Sequence, residues 1–217
     1  MDVVVSGTSS GIGACIAGKF LQEGHAVFGF DVAPGCIDHE RYMHFTHDIR
    51  DGMPDALELV EPEILVCNAG TQDDDSAIDV NLEGTIRFTE SFIDSPRLRS
   101  VLFVASASAR NGSEFPRYVA SKAGVMGYMK NVALNNAQRG ITCNSVSPGG
   151  VVTPANAHIL ENDRLYAAVL EETLLGKWAQ PEEVAELVYF LTVVNRSITG
   201  EDILMDNGEM LKSNFIW

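Results

Sequence analysis

The sequence predicts an α/β fold: a single doubly wound parallel sheet with helices on both faces and a small helical substrate lid. Three observations predict it. Short apolar runs alternate with helix-length patterns, the rhythm of βαβ units. Runs of this kind belong to parallel sheets covered on both sides. A glycine-rich turn also follows the first run directly and opens the first helical pattern.

Strands are expected at residues 3–6, 26–30, 43–46, 64–67, 101–106, 141–146 and 203–205, and helices near 11–23, 53–59, 77–93, 116–138 and 181–191. No linker, low-complexity stretch or internal repeat interrupts residues 1–217, so one domain is expected. The segment 154–177 breaks the alternation. There Ile159, Leu160, Leu165, Tyr166, Val169, Leu170, Leu174 and Leu175 form an amphipathic helical pattern after the turn Ser147-Pro148-Gly149-Gly150. Such an excursion lies at the sheet edge where ligands bind in this architecture. It reads as a lid, with an ordinary packing pair of helices as the alternative.

The chain of 217 residues is 46% hydrophobic and 21% charged, enough for one sizeable core. A net charge of −15 argues against nucleic acid, whose phosphates it would repel, and against anionic membranes. Cys15, Cys36, Cys67 and Cys143 are scattered without a CxxC pair or a histidine at ligand spacing. Neither disulfides nor a metal site are expected. With no basic leader and no membrane-length apolar run, a cytoplasmic enzyme is the expectation.

The glycine turn has the form Gly-x-x-x-Gly-x-Gly, with Gly7, Ser10, Gly11, Ile12 and Gly13 at the start of the first helix. Glycines let the backbone approach a pyrophosphate, which the helix N-terminus holds through free N–H groups and its dipole. This makes the sheet Rossmann-type. Asp31 ends the second strand 18 residues past Gly13, where a carboxylate accepts hydrogen bonds from adenosine ribose hydroxyls. It would repel a 2′-phosphate, and Ser10 offers no compensating cation, so NAD(H) is favoured over NADP(H). The competing role for Asp31 is a plain turn residue before Ala33-Pro34-Gly35.

Tyr118-Val119-Ala120-Ser121-Lys122 places a phenol and an ammonium one turn apart on a helical face. An ammonium there would stabilise a phenolate and bring its pKa toward the neutral range useful for proton transfer. Ser106 and Ser108 lie 12 and 10 residues upstream of the tyrosine and compete as the hydroxyl partner.

Together with Asp48-Ile49, Asn68-Ala69-Gly70, Asp79-Val80-Asn81-Leu82, Ser147-Pro148-Gly149 with Val151 and Thr153, and Gln180-Pro181-Glu182-Glu183-Val184-Ala185, these motifs resemble the short-chain dehydrogenases/reductases. The resemblance runs from Val3 to about Gly208. It implies that Gly7, Gly11, Ile12 and Gly13 line the pyrophosphate and that Asp48 and Ile49 meet the adenine. Asn68, Ala69 and Gly70 would pass beneath the ribose, and Val151 and Thr153 would contact the nicotinamide carboxamide. Tyr118 would be the general acid/base, Lys122 would hold the nicotinamide ribose, Ser106 would bind the substrate oxygen, and Asn81 would support a proton relay. The implied activity is NAD-dependent interconversion of a secondary alcohol and a ketone, without metal, in a homo-oligomer (dimer or tetramer).

Two departures from the family pattern stand out. The gap between Ser106 and Tyr118 is slightly short, and the acidic segment 71–80 is shorter than usual, which would open one side of the site. In the lid, Arg164 and Lys177 are the only cations, which favours a neutral or apolar substrate over a phosphate-rich carrier. His158 reads as a solvated helix residue. The apolar end Phe215-Ile216-Trp217 would pack across a subunit boundary or onto the chain's own lid. A 3-oxoacyl-thioester reductase is the enzymatic alternative and a non-catalytic NAD sensor the alternative of another class. The intact Asn81, Ser106, Tyr118 and Lys122 argue against the sensor.

Overall fold

The computed structural model describes residues 1–51 and 60–212, so the helix expected at 53–59 and the tail Phe215-Ile216-Trp217 lie outside the described residues. The strands are β1 (Asp2–Ser6), β2 (Ala26–Asp31), β3 (Tyr42–Thr46), β4 (Ile64–Cys67), β5 (Ser100–Val104), β6 (Thr142–Pro148) and β7 (Asp202–Met205). They form one sheet in the order β3-β2-β1-β4-β5-β6-β7, and every pairing is parallel.

The helices are α1 (Gly11–Gln22), α2 (Thr85–Phe92), α3 (Ser108–Asn111), α4 (Pro116–Asn136), α5 (Ala157–Leu160), α6 (Asp163–Glu171) and α7 (Pro181–Tyr189). Successive strand residues feed opposite layers, because side chains alternate across a strand. Val3, Val5, Ile64, Val66, Leu102 and Val104 pack with Ile16 and Phe20 of α1 and Val184 and Val188 of α7. Val4, Leu65, Cys67, Val101 and Phe103 pack on the other face with Phe88 and Phe92 of α2 and Val125 and Met129 of α4. Burying each such side chain contributes about 1.5–3 kcal/mol, which requires helices on both faces. All four cysteines are unpaired, with Cys67 and Cys143 buried in the core.

Three details differ from the sequence expectations. β5 ends at Val104, so Ser106 stands two residues beyond the strand, and the unexpected α3 follows at Ser108. The expected helix 77–93 is divided: a π-helical stretch, Ile78–Gly84, precedes α2. Asn81 sits in that widened turn, and its side chain is held by groups outside the helix, the kind of local departure that π turns accompany. The last expected helix likewise becomes π-helical at Phe190–Val194.

Strand order reverses direction between β1 and β4, which opens a crevice at the C-terminal edge of the sheet. Segment 154–177 covers this edge through a 3-10 turn at Pro154–Asn156 and helices α5 and α6. No residue of α5 or α6 is fully buried, so this cover packs loosely.

Candidate active site

Two cavities, of about 480 and 600 Å³, meet along the crevice and share Ile12, Asn68, Gly70, Thr71, Thr153 and Ala155 as walls. The smaller is built on the glycine turn. Gly7 has φ +77° and Gly11 φ +51°, a region costly for other residues. At Gly13 a Cβ would fall 1.8 Å from the Gly7 carbonyl oxygen, so only glycine lets α1 start this close to β1. Ser6 Oγ accepts from the amides of Asn68 (3.0 Å) and Ala69 (3.1 Å), and Asn68 Nδ2 donates to the carbonyls of Ser6 (3.1 Å) and Gly7 (3.2 Å). These bonds fasten β1 to β4 beneath the turn.

Asp31, Asp48 and Ile49 line the far end of this cavity. The Asp31 carboxylate accepts from the amides of Ser9 and Ala33, both at 2.9 Å, which holds it at the cavity floor. Asp48 is clamped by the Arg50 guanidinium, with Nη2 at 2.6 Å, and this pairing lowers its pKa. His47 lines the same cavity, and its Nε2 is buried without a partner. A bare glycine cradle, a fixed carboxylate and an orphaned ring nitrogen form a groove that can hold a dinucleotide. Neither periodicity nor spacing singles out His47, whose packing against Phe30 arises only in the fold.

The larger cavity contains Ser106, Tyr118 and Lys122. Lys122 is 6% exposed, and its Nζ donates to the Val104 carbonyl at 3.0 Å. Burial alone brings its pKa down from 10.5 to about 8. Tyr118 shows the opposite of the sequence expectation: burial raises its phenol, the Ser106 hydroxyl lowers it in part, and Glu114 adds a lesser raising. The reason is geometric, since the ammonium faces Val104 and stands 6.0 Å from the centre of the Tyr118 ring. Asn81 Oδ1 accepts from the Thr71 amide at 2.7 Å, while its Nδ2 donates to the Thr71 carbonyl (2.9 Å) and to Ser121 Oγ (3.1 Å). Gly70 lies between them: a Cβ there would come within 3.0 Å of Asn81 Oδ1 and 3.2 Å of Lys122 Nζ.

The two serines are bonded to each other, Oγ to Oγ at 2.8 Å, yet only Ser106 is part of the cavity wall. Ser106→Ala is therefore expected to lower kcat by roughly 10²-fold, as for loss of one oxyanion donor. Ser108→Ala is expected to lower it by less than about tenfold, through loss of orientation. Comparing the kcat values of the two variants checks the order, and a larger loss at Ser108 reverses it.

Val151 and Thr153 stand where β6 passes toward the lid, and Val151 is bridged to Ala179. Ile159 and Val169 of the lid line the larger cavity, and Tyr166 packs edge-on against the buried Trp178. Glu114, Glu172 and Glu209, all overlooked in the sequence, also line it, and Lys122 is the only cationic side chain among the described residues that do so. Glu114 is held at φ +85°, an unusual conformation for a residue with a side chain. Although the residue is exposed, desolvation by neighbouring groups and then Glu209 raise its carboxyl above the usual range. Glu209 is raised too, by desolvation and then by Asp206 and Glu172.

Comparison with known proteins decides the family. Residues 62–209 match the family model described as enoyl-(acyl carrier protein) reductase. A 3-oxoacyl-(acyl-carrier-protein) reductase of Thermotoga maritima is 32% identical, over 94% of this chain and 96% of the relative. The chain belongs to the short-chain dehydrogenase/reductase family. It is an oxidoreductase of that family, and its relatives include a (3R)-3-hydroxyacyl-CoA dehydrogenase of Rattus norvegicus, 30% identical over 94% of each chain. The ligand-free aldohexose dehydrogenase of Thermoplasma acidophilum superimposes with a TM-score of 0.87 at 27% identity, covering 100% of this chain and 96% of the other. The Thermotoga alignment runs to 240 positions, longer than this 217-residue family member, so the relative carries segments that this chain lacks.

Proposed function

We propose that this short-chain dehydrogenase/reductase uses NAD(H) to interconvert a neutral ketone and its secondary alcohol, with Tyr118 as general acid/base. One observation carries the reading: the buried Tyr118 phenol and the Ser106 hydroxyl face each other in a cavity continuous with the glycine-lined crevice. When bound, the nicotinamide supplies or accepts the hydride. The chain's own residues perform the rest. Ser106 Oγ and Tyr118 Oη donate to the carbonyl oxygen as charge builds there. Tyr118 then gives up its proton, and the raised phenol pKa keeps that proton available at neutral pH. Lys122 would hold the nicotinamide ribose, while Asn81 keeps Thr71 and Ser121 in place for the proton path. In the alcohol-to-ketone direction the same groups run in reverse, and the lid segment 154–177 excludes water.

Gly7, Ser10, Gly11, Ile12 and Gly13 would carry the pyrophosphate, Asn68, Ala69 and Gly70 the ribose floor, Asp48 and Ile49 the adenine edge, and Val151 and Thr153 the carboxamide. Asp31 supports NAD over NADP. Its carboxylate is held by backbone amides where the ribose would lie, and Arg50, the one guanidinium among the described residues lining that cavity, is committed to Asp48. A 2′-phosphate beside a fixed carboxylate costs enough to weaken NADPH binding by roughly 10- to 100-fold relative to NADH. Calorimetry with both cofactors checks this, and tighter NADPH binding refutes it.

The carboxylates Glu114, Glu172 and Glu209 support a neutral substrate over the acyl thioesters named for both curated relatives, since phosphate-bearing carriers favour clustered cations. NADH consumption across ketones, sugars, steroids and acyl thioesters tests the reading. Turnover confined to acyl thioesters would replace it with the 3-oxoacyl reductase. A homo-oligomer, dimer or tetramer, and a cytoplasmic location complete the proposal. Among the described residues no helix is long and apolar enough to cross a membrane.

A further inference from the structure

Helix α4 starts at Pro116, and the preceding Phe115 offers no side-chain cap. The amides of Arg117 and Tyr118, in the first turn, have no partner within the helix. Both are met from elsewhere: Asp74 Oδ1 accepts from Arg117 N at 2.7 Å and from Tyr118 N at 3.1 Å, across 43 and 44 residues of sequence. A carboxylate at a helix N-terminus makes charge-assisted bonds and complements the helix dipole.

The opposite side of the Tyr118 peptide is held from the same segment. Its carbonyl accepts from Ser121 Oγ at 2.7 Å, and Ser121 Oγ in turn accepts from Asn81 Nδ2. Asn81 grips Thr71, three residues before Asp74. The short segment from 71 to 81 thus holds the tyrosine backbone at both its N–H and its C=O.

We propose that Asp74 is a positioning residue for the reaction: by capping α4 at Tyr118 it sets where the phenol meets the substrate oxygen. This rests on the assignment of Tyr118 as acid/base, because Asp74 itself does not line the catalytic cavity. Asp75 is the natural control. It reaches the Arg117 guanidinium at 3.5 Å, but its side chain is 96% exposed and it bonds no amide of α4.

The test compares Asp74→Ala, Asp74→Asn and Asp75→Ala in the full chain, using a ketone found active in the cofactor screen. Asp74→Ala is expected to lower kcat about tenfold or more, as small displacements of reacting groups do. Its NADH dissociation constant should stay within about twofold of native. Asp74→Asn keeps an acceptor oxygen and should recover at least about a third of native kcat, while Asp75→Ala should match native. Native kcat in Asp74→Ala, or an Asp74→Asn no better than Asp74→Ala, overturns the proposal. If Asp74→Ala does not fold, Asp74→Glu carries the test, since it keeps the acceptor but lengthens the reach by one methylene. A kcat below about a third of native with unchanged melting supports positioning, and native kcat refutes it. Tyr118→Phe, run in parallel, separates the two levels. An active Tyr118→Phe defeats the acid/base assignment, whereas an inactive one beside an active Asp74→Ala defeats the positioning role alone.

Discussion

Tyr118→Phe is expected to lower kcat by roughly 10²- to 10⁴-fold, the range for loss of a positioned general acid, with NADH affinity unchanged within about twofold. The variant keeps the ring and removes only the hydroxyl that faces Ser106. Its backbone bonds to Asp74 and Ser121 do not involve that hydroxyl, so the helix start should persist. A polarising donor survives in Ser106, but no proton is delivered. The measurements are steady-state NADH oxidation and calorimetric NADH binding on the same preparation. Residual kcat above about one tenth of native would remove Tyr118 from its role, and lost NADH binding would show that the change acted on the crevice instead.

Lys122→Met is expected to abolish turnover and yet stabilise the fold at neutral pH. The native ammonium is buried, and its pKa falls from 10.5 to about 8, equivalent to about 3 kcal/mol of cost to the folded state. Removing it also orphans the Val104 carbonyl, which offsets the gain by about 1–2 kcal/mol. The net gain at pH 7 is thus about 1–2 kcal/mol. Because the folded pKa lies below the unfolded one, the unfolded chain binds more protons between about pH 8 and 10.5. Native stability therefore rises with pH across that window, and the advantage of Lys122→Met shrinks and disappears above it. Denaturant titrations at pH 7 and pH 10.5 check both sign and window. A variant less stable at pH 7, or a difference independent of pH, contradicts this account.

The strands were legible because each is a local apolar run, and the glycine turn because its demands act within a few residues. Tyr118 and Lys122 were legible as a pair because four residues is a fixed helical offset. Other parts were beyond local reasoning. Spacing from Tyr118 favoured Ser106 over Ser108, but the bond between the two hydroxyls and the absence of Ser108 from the cavity wall follow only from the turn into α3. The acidic segment 71–80 stood out in the sequence only for its shortness, whereas in the fold its Asp74 caps α4 from 43 residues away. Glu114 and Glu209 come from positions 95 residues apart and meet only at the cavity mouth.

By itself, then, the sequence determined the parallel sheet, the glycine turn with Asp31 at the end of the next strand, and the tyrosine–lysine pair. Each depends on periodicity or on offsets of a few residues, which chain geometry translates directly into shape. Only the tertiary structure decided the electrostatic state of that pair. Adjacency on a helix suggested a lowered phenol, but burial raises Tyr118, lowers Lys122 and turns the ammonium toward Val104. Desolvation depends on everything packed around a group, and that surrounding is assembled from distant parts of the chain.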